Sequence, residues 1–143
     1  ENCELTVIGP AIGFRETRRM KGKEIITAQD VLGRRKRPDG VARAGWKPEI
    51  HMDANKMGTY IEVSEGSWFD VPLGALQCES MDNLYGAGRM VSSEQTAHAA
   101  VRVMGTCFAT GHAAGVAAAC QALRGQAEAD TVREELRKQA ALL

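Results

Sequence analysis

The spacing of apolar positions changes partway along the chain, and with it the kind of element the sequence predicts. Over about the first 75 residues the apolar positions fall in short, partly alternating runs bounded by turn formers, which is the strand pattern. Such runs occur at Glu4–Ile8, Lys23–Ile26, Val41–Asp53 (split about Gly45-Trp46), Thr59–Val63 and Trp68–Leu73. Gly9-Pro10, Pro38-Asp39-Gly40, Ala54–Gly58 and Ser64–Ser67 read as the intervening turns and loops. One short helix is expected among them after Thr27, with Asp30 completing a capping box. From Ser93 onward the spacing is helical. It predicts a helix over about Ser93–Met104, capped by Ser92 or Ser93 with Glu94 and Gln95 in its first turn. A second runs from about Gly105 to a stop at Gly125. A third starts at Thr131, with Glu134 three residues on, and runs to about Leu142 with Val132, Leu136, Ala140 and Leu143 inward.

The most informative stretch is Asn83–Ala119. A short apolar run, Leu84-Tyr85, breaks at Gly86-Ala87-Gly88-Arg89, and the stretch ends in a helix of small residues. Gly111 and Gly115 lie four apart and share a face with Cys107 and, roughly, Ala114 and Ala118. An interior glycine costs about 1 kcal/mol against alanine. A pair on one face therefore suggests that another backbone, or something large and flat, comes close there; a tightly packed core helix is the alternative. The helix start at Gly105-Thr106-Cys107 would direct unpaired N–H groups and a partial positive charge at whatever precedes it. Arg102 and His112 interrupt the apolar character, and no run of about 20 apolar residues suggests a membrane span. The glycine pair at Gly86 and Gly88 is not a dinucleotide fingerprint, because the third glycine position holds Val91.

Composition narrows the partners. The chain has 143 residues, 44% hydrophobic and 25% charged, with no net charge and a pI near 7.1. That is one globular domain's worth, with no global field for nucleic acid or an anionic membrane. The basic run Arg34-Arg35-Lys36-Arg37 sits at a helix end before a turn and reads as a solvated turn in preference to a nucleic-acid patch. Cys3, Cys78, Cys107 and Cys120 form no C-x-x-C and no histidine pairing, so a zinc site is not expected and a reducing, cytoplasmic setting is. No targeting or lipidation motif is visible. Low aromatic content and an alanine-rich end suit close packing on a partner, as in one piece of something larger.

The linked elements Asn83-Leu84, Ala87-Gly88-Arg89, Arg102-Val103-Met104-Gly105-Thr106-Cys107 and Gly111-His112-Ala113-Ala114-Gly115 carry a resemblance. In order and content they resemble the C-terminal FAD-binding end of the FAD-dependent oxidoreductases related to succinate dehydrogenase and fumarate reductase flavoproteins. The resemblance implies an α+β piece of an α/β FAD-binding flavoprotein. Residues 1–80 would be a β-rich substrate-side portion, and residues 81–143 a strand and helices completing the FAD domain. It implies FAD, with the backbone at Gly88 and Arg89 facing its ribityl or phosphate region. Ser93 and Gly105 would also border the cofactor, and the N–H groups around Thr106, Cys107 and Phe108 would meet the pyrimidine oxygen of the flavin. Arg89 stands where relatives often carry glutamate, so its contact is open. Arg102 corresponds to an arginine that grips a substrate carboxylate in the dicarboxylate enzymes; an ion pair with Glu94 or Asp82 is the competing role.

Arg15, Arg18 and Arg19 match the family's R-E-x-R-R segment, and their forks suit a carboxylate or phosphate, or Glu16 and other surface acids. His51 matches a family histidine and is a candidate acid/base group or a structural hydrogen-bonding one. Leu73 and Gly74 replace the usual tyrosine and basic residue, so no substrate carries over. The dinucleotide fingerprint that such proteins carry at their start does not occur in these residues. The implied partners are therefore an N-terminal dinucleotide-binding part of the same protein and a small-molecule substrate, with a homo-oligomer left open and neither nucleic acid nor membrane expected. The activity implied is an FAD-dependent oxidoreductase, this chain alone being inactive. The alternatives are a non-catalytic flavin-binding module and an interaction module without cofactor.

Overall fold

A helix start needs acceptors for its first N–H groups, and Thr27 supplies one. Its Oγ1 accepts from the Asp30 N–H at 3.2 Å, while the Asp30 carboxylate accepts from the Thr27 N–H at 2.9 Å. Burial pushes the Asp30 carboxyl up, but the Thr27 N–H and hydroxyl and the Arg35 guanidinium outweigh it and hold it below the usual range. The computed structural model describes residues 4–11, 16–51, 57–63 and 66–143. Cys3, Arg15, part of the loop expected at Ala54–Gly58, and Ser64 and Glu65 of the expected turn lie outside the described residues.

In chain order the elements are α1 (Ala28–Leu32), β1 (Gly40–Ala44), β2 (Glu49–Ile50), β3 (Thr59–Tyr60), β4 (Phe69–Pro72), α2 (Leu73–Leu76), a 3-10 turn at Gly88–Met90, α3 (Gln95–Val101), α4 (Met104–Arg124) and α5 (Ala129–Lys138). The strands form two antiparallel pairs. β1 pairs with β4, setting Arg43 opposite Asp70 and Ala44 opposite Phe69, with an irregularity between Gly40 and Ala42. β2 pairs with β3. The α4 helix lies over β1 and α5. Its buried face, Ala113, Val116, Ala117 and Cys120, meets a core that includes Val41, Ala44, Phe69, Val71, Val132 and Leu136. Small side chains on α4 let that backbone approach the strand and helix closely. At its end Gly125 takes φ +77°, the left-handed cap, and its N–H donates to the Gln121 carbonyl.

Several expectations are corrected by the structure. Glu4–Ile8 forms no strand: Leu5, Val7 and Ile8 are exposed, and alternation without a pairing edge is not enough. Lys23–Ile26 and Leu84-Tyr85 are reduced to isolated bridges, Gly22 with Cys78, Ile26 with Ser93 and Tyr85 with Gln77. The helix cap expected at Ser92 or Ser93 falls at Glu94 instead, whose carboxylate accepts from the Ala28 N–H at 2.7 Å. The last helix starts at Ala129, ahead of Thr131, and stops at Lys138; Ala140 is exposed with φ +58° and does not face the core.

The basic run is solvated only in part: Arg35 and Lys36 are exposed, while Arg34 and Arg37 turn inward. Arg34 is only 8% exposed and donates to the carbonyls of Gly45 at 3.2 Å and Trp46 at 3.4 Å. Arg37 pairs with Glu24 at 2.6 Å and Asp39 at 2.8 Å, and Lys36 sits 3.5 Å from the Trp68 ring centroid. Planar forks and long apolar stems let Arg34 brace the β1–β2 connection, Arg37 tie Glu24 to Asp39 and Lys36 cover the Trp68 ring, which a count of charges does not reveal.

Candidate functional site

The start of α4 is built by a turn that only glycine fits well. Gly88 has φ +62°, and a Cβ there would lie 3.3 Å from Cys107 Sγ. Its N–H donates to Thr110 Oγ1 at 3.1 Å, and that hydroxyl donates on to the Thr106 carbonyl at 2.8 Å. Thr110, fully buried, thus ties the Gly88 turn to the first turns of α4; it lay unremarked in a run of small residues. The N-cap of α4, Val103, offers no side-chain acceptor. The Cys107 N–H is already used by the Val103 carbonyl at 2.9 Å, so the first-turn donors with no helical partner are those of Met104, Gly105 and Thr106. That set begins two residues ahead of the Thr106–Phe108 set expected and shares only Thr106 with it, because the helix starts at Met104. Phe108 lies within the helix and exposes 76% of its surface. Burial pushes the Cys107 thiol up, with Arg89 opposing it, so it stays a neutral thiol, and its Sγ–H donates to the Arg102 carbonyl at 3.5 Å.

Along the outer side of α4, Gly105, Gly111 and Gly115 are exposed, and a Cβ at each would meet nothing within 4 Å. The close approach that the glycines suggest is not made by the described residues of this chain. Met104 and Leu123 are exposed on the same helix.

The α3 and α4 axes meet at 92°, and Arg102 sits at the corner. Its guanidinium donates to the Glu49 carbonyl of β2 at 3.0 Å and pairs with Glu16 at 2.6 Å. An ion pair was one expectation for Arg102, but its acid is Glu16 in place of Glu94 or Asp82: Glu94 caps against α1, and Asp82 pairs with Lys23. His51 follows β2 and is exposed, its Nε2 3.4 Å from Glu49 Oε1. β2 therefore links Arg102 to His51 through Glu49, whose carbonyl meets one and whose carboxylate meets the other.

Beside this corner a cleft of about 240 Å³ is lined by Glu16, Thr17, Arg18, Arg19, Gln95 and His98. His98 is 2% exposed. Ser93 Oγ lies 3.2 Å from the Val91 carbonyl and 3.2 Å from His98 Nδ1; with its one proton given to the carbonyl, it accepts from Nδ1–H. In that arrangement the imidazole proton is on Nδ1 and Nε2 keeps its lone pair. Ser93 therefore positions an imidazole, a role separate from the cofactor contact expected of it. Burial lowers the His98 pKa; Glu16 opposes this, and Arg19, Arg102 and Arg89 add to it, so the ring is neutral near pH 7. His98 escaped the sequence reading because a histidine inside an alanine-rich helix carries no signal beyond its position.

Among the described residues no group of three or more His, Cys, Asp or Glu is placed to hold a metal ion, and no single helix is long and apolar enough to cross a membrane. The Gly88 turn thus packs against the uncapped start of α4, whose first-turn N–H groups have no helical partner. The sequence profile of the FAD dependent oxidoreductase family matches residues 1–140, and the chain belongs to that family. The family implies FAD binding. Comparison with curated proteins and with solved structures finds no match.

Proposed function

We propose that this chain is the C-terminal portion of an FAD-dependent oxidoreductase of the succinate dehydrogenase and fumarate reductase kind, closing the flavin site with α4 and contributing part of the substrate site. The observation that carries the reading is the outer side of α4. Gly111 and Gly115 each weaken the helix interior by about 1 kcal/mol, and a Cβ at either, or at Gly105, would meet nothing within 4 Å among the described residues. Their close approach is therefore made to something outside the described chain. The occupants that fit are the flavin at the N-terminal end and the dinucleotide-binding part of the same protein further along, against Phe108 and Leu123.

FAD, when bound, supplies the redox chemistry. The chain's own residues hold and polarise it. The Gly88–Arg89 turn borders it, the uncapped N–H groups of Gly105 and Thr106 donate to it, and the positive end of α4 favours negative charge beside it. Arg102, held by Glu16, adds its positive charge beside a substrate carboxylate. His51, tethered to Glu49, serves as an acid/base group near that carboxylate.

A second reading is a non-catalytic flavin-binding or interaction module. Leu73 favours it, since the residue in place of the family's usual tyrosine is buried in the core and unavailable to a substrate. A visible spectrum separates the readings. Flavin bands near about 370 and 450 nm are expected from the cofactor's own chemistry in the full-length protein, with bleaching on substrate if it is an enzyme. Gly111→Leu should abolish flavin retention there while leaving helix content unchanged. A variant that keeps its flavin would overturn the small-face argument.

A further inference from the structure

The cleft between Glu16–Arg19 and α3 has an unbalanced set of charges. Glu16, the acid among its lining residues, is committed to Arg102 at 2.6 Å. Arg18 and Arg19 are exposed and have no acid partner among the described residues. Two cations without counter-ions among the described residues therefore border a cavity that also holds a nearly inaccessible imidazole.

That imidazole contributes a directional requirement the arginines do not. With the proton on Nδ1 and given to Ser93, Nε2 accepts a hydrogen bond and cannot donate one. A simple anion such as sulfate satisfies the arginines and leaves Nε2 unmet, at the cost of an unsatisfied buried acceptor. A ligand carrying both a carboxylate and a hydroxyl satisfies both. The volume, about 240 Å³, is roughly eight waters at ~30 Å³ each, room for an acid of a few carbons. Burial, and the charges of Arg19, Arg102 and Arg89 against that of Glu16, keep the ring in the neutral form that such a ligand needs.

We propose that this cleft binds a small hydroxycarboxylate, its carboxylate on Arg18 and Arg19 and its hydroxyl donating to His98 Nε2. The inference names the substrate class of the site proposed above and rests on that reading only in calling the ligand a substrate; the binding itself needs no flavin.

The test is a titration of the chain, labelled with nitrogen-15 at histidine, with lactate, acetate and sulfate, following the imidazole resonances. Lactate is expected to saturate and to move His98 Nε2, with acetate at least about tenfold weaker and leaving Nε2 in place. The double variant Arg18→Ala, Arg19→Ala should weaken lactate by about tenfold or more. His98→Gln should erase the preference for lactate over acetate. Should that variant fail to fold, Ser93→Ala keeps the ring, frees its tautomer and should narrow the same preference. Equal affinity for all three anions with Nε2 unmoved, or no saturation by any of them, would overturn the proposal. Its failure is distinguishable from failure of the flavin reading. Flavin retained in the full-length protein with His98 unmoved sinks the cleft alone; a lactate response without flavin sinks the flavin site alone.

Discussion

The two sides of α4 are made from nearly the same residues and do opposite things. Inward, Ala113, Ala117 and Cys120 are buried against β1 and α5, where smallness lets two backbones close on each other. Outward, Gly105, Gly111 and Gly115 have the same smallness with nothing against it. Smallness alone therefore does not distinguish a core face from a docking face; the neighbours do. The inner side belongs to this chain's stability; under the proposed function the outer side would belong to a contact beyond it.

The largest effect should come from the inner side. Leu136 of α5 is 1% exposed under α4, and Leu136→Ala should cost about 2–5 kcal/mol by burial lost and cavity left. Leu123 is 85% exposed on α4, and Leu123→Ala should stay within about 0.5 kcal/mol. Urea unfolding of the two variants measures the difference, and equal losses would mean that the open side is packed in solution. Next in size is Thr110→Val. It removes the acceptor of the Gly88 N–H and should cost about 1–3 kcal/mol for a donor left unmet. The last change in this series has the opposite sign. Gly115→Ala in the chain should raise stability by up to about 1 kcal/mol, because the helix gains propensity and a Cβ meets no atom. A loss there would show that the outer side is occupied even in this chain.

What the sequence made legible follows local chemistry. The Thr27–Asp30 capping box, the extent of α4 and its Gly125 stop were readable because each depends on neighbours along the chain. Glu4–Ile8 was misread because a strand exists only through its partner, and alternation says nothing of one. Arg34 and Arg37 looked like surface charge because their partners, Gly45, Trp46 and Glu24, come from elsewhere in the chain. The site divides in the same way. The Gly88 turn and the open glycines were visible as a motif. The Arg102–Glu16 pair and the Ser93–His98 bond bring together residues from different elements, and no spacing announces them.

His98 offers the finest test, because it lies at the inner root of the outward-facing cleft. Its folded pKa is lowered from the ordinary 6.5, chiefly by burial. Above pH 6.5 the imidazole is neutral folded or unfolded, and its titration contributes nothing to the pH dependence. As pH falls through 6.5 the unfolded chain takes up a proton that the folded chain refuses, so stability is lost from there downward until the folded ring protonates as well. Urea midpoints of the chain should therefore fall between pH 7.5 and pH 5.5, and those of His98→Gln should fall less. Any stability the variant loses outright drops out, because only each protein's own change with pH is compared. His51 and His112 are untouched by the substitution, so their share cancels too. Identical slopes would mean that the ring is solvated and that the cleft floor has no fixed acceptor. A shallower slope in the variant, with its helix content intact, would place a neutral imidazole beside the cations of the cleft, as the hydroxycarboxylate site requires.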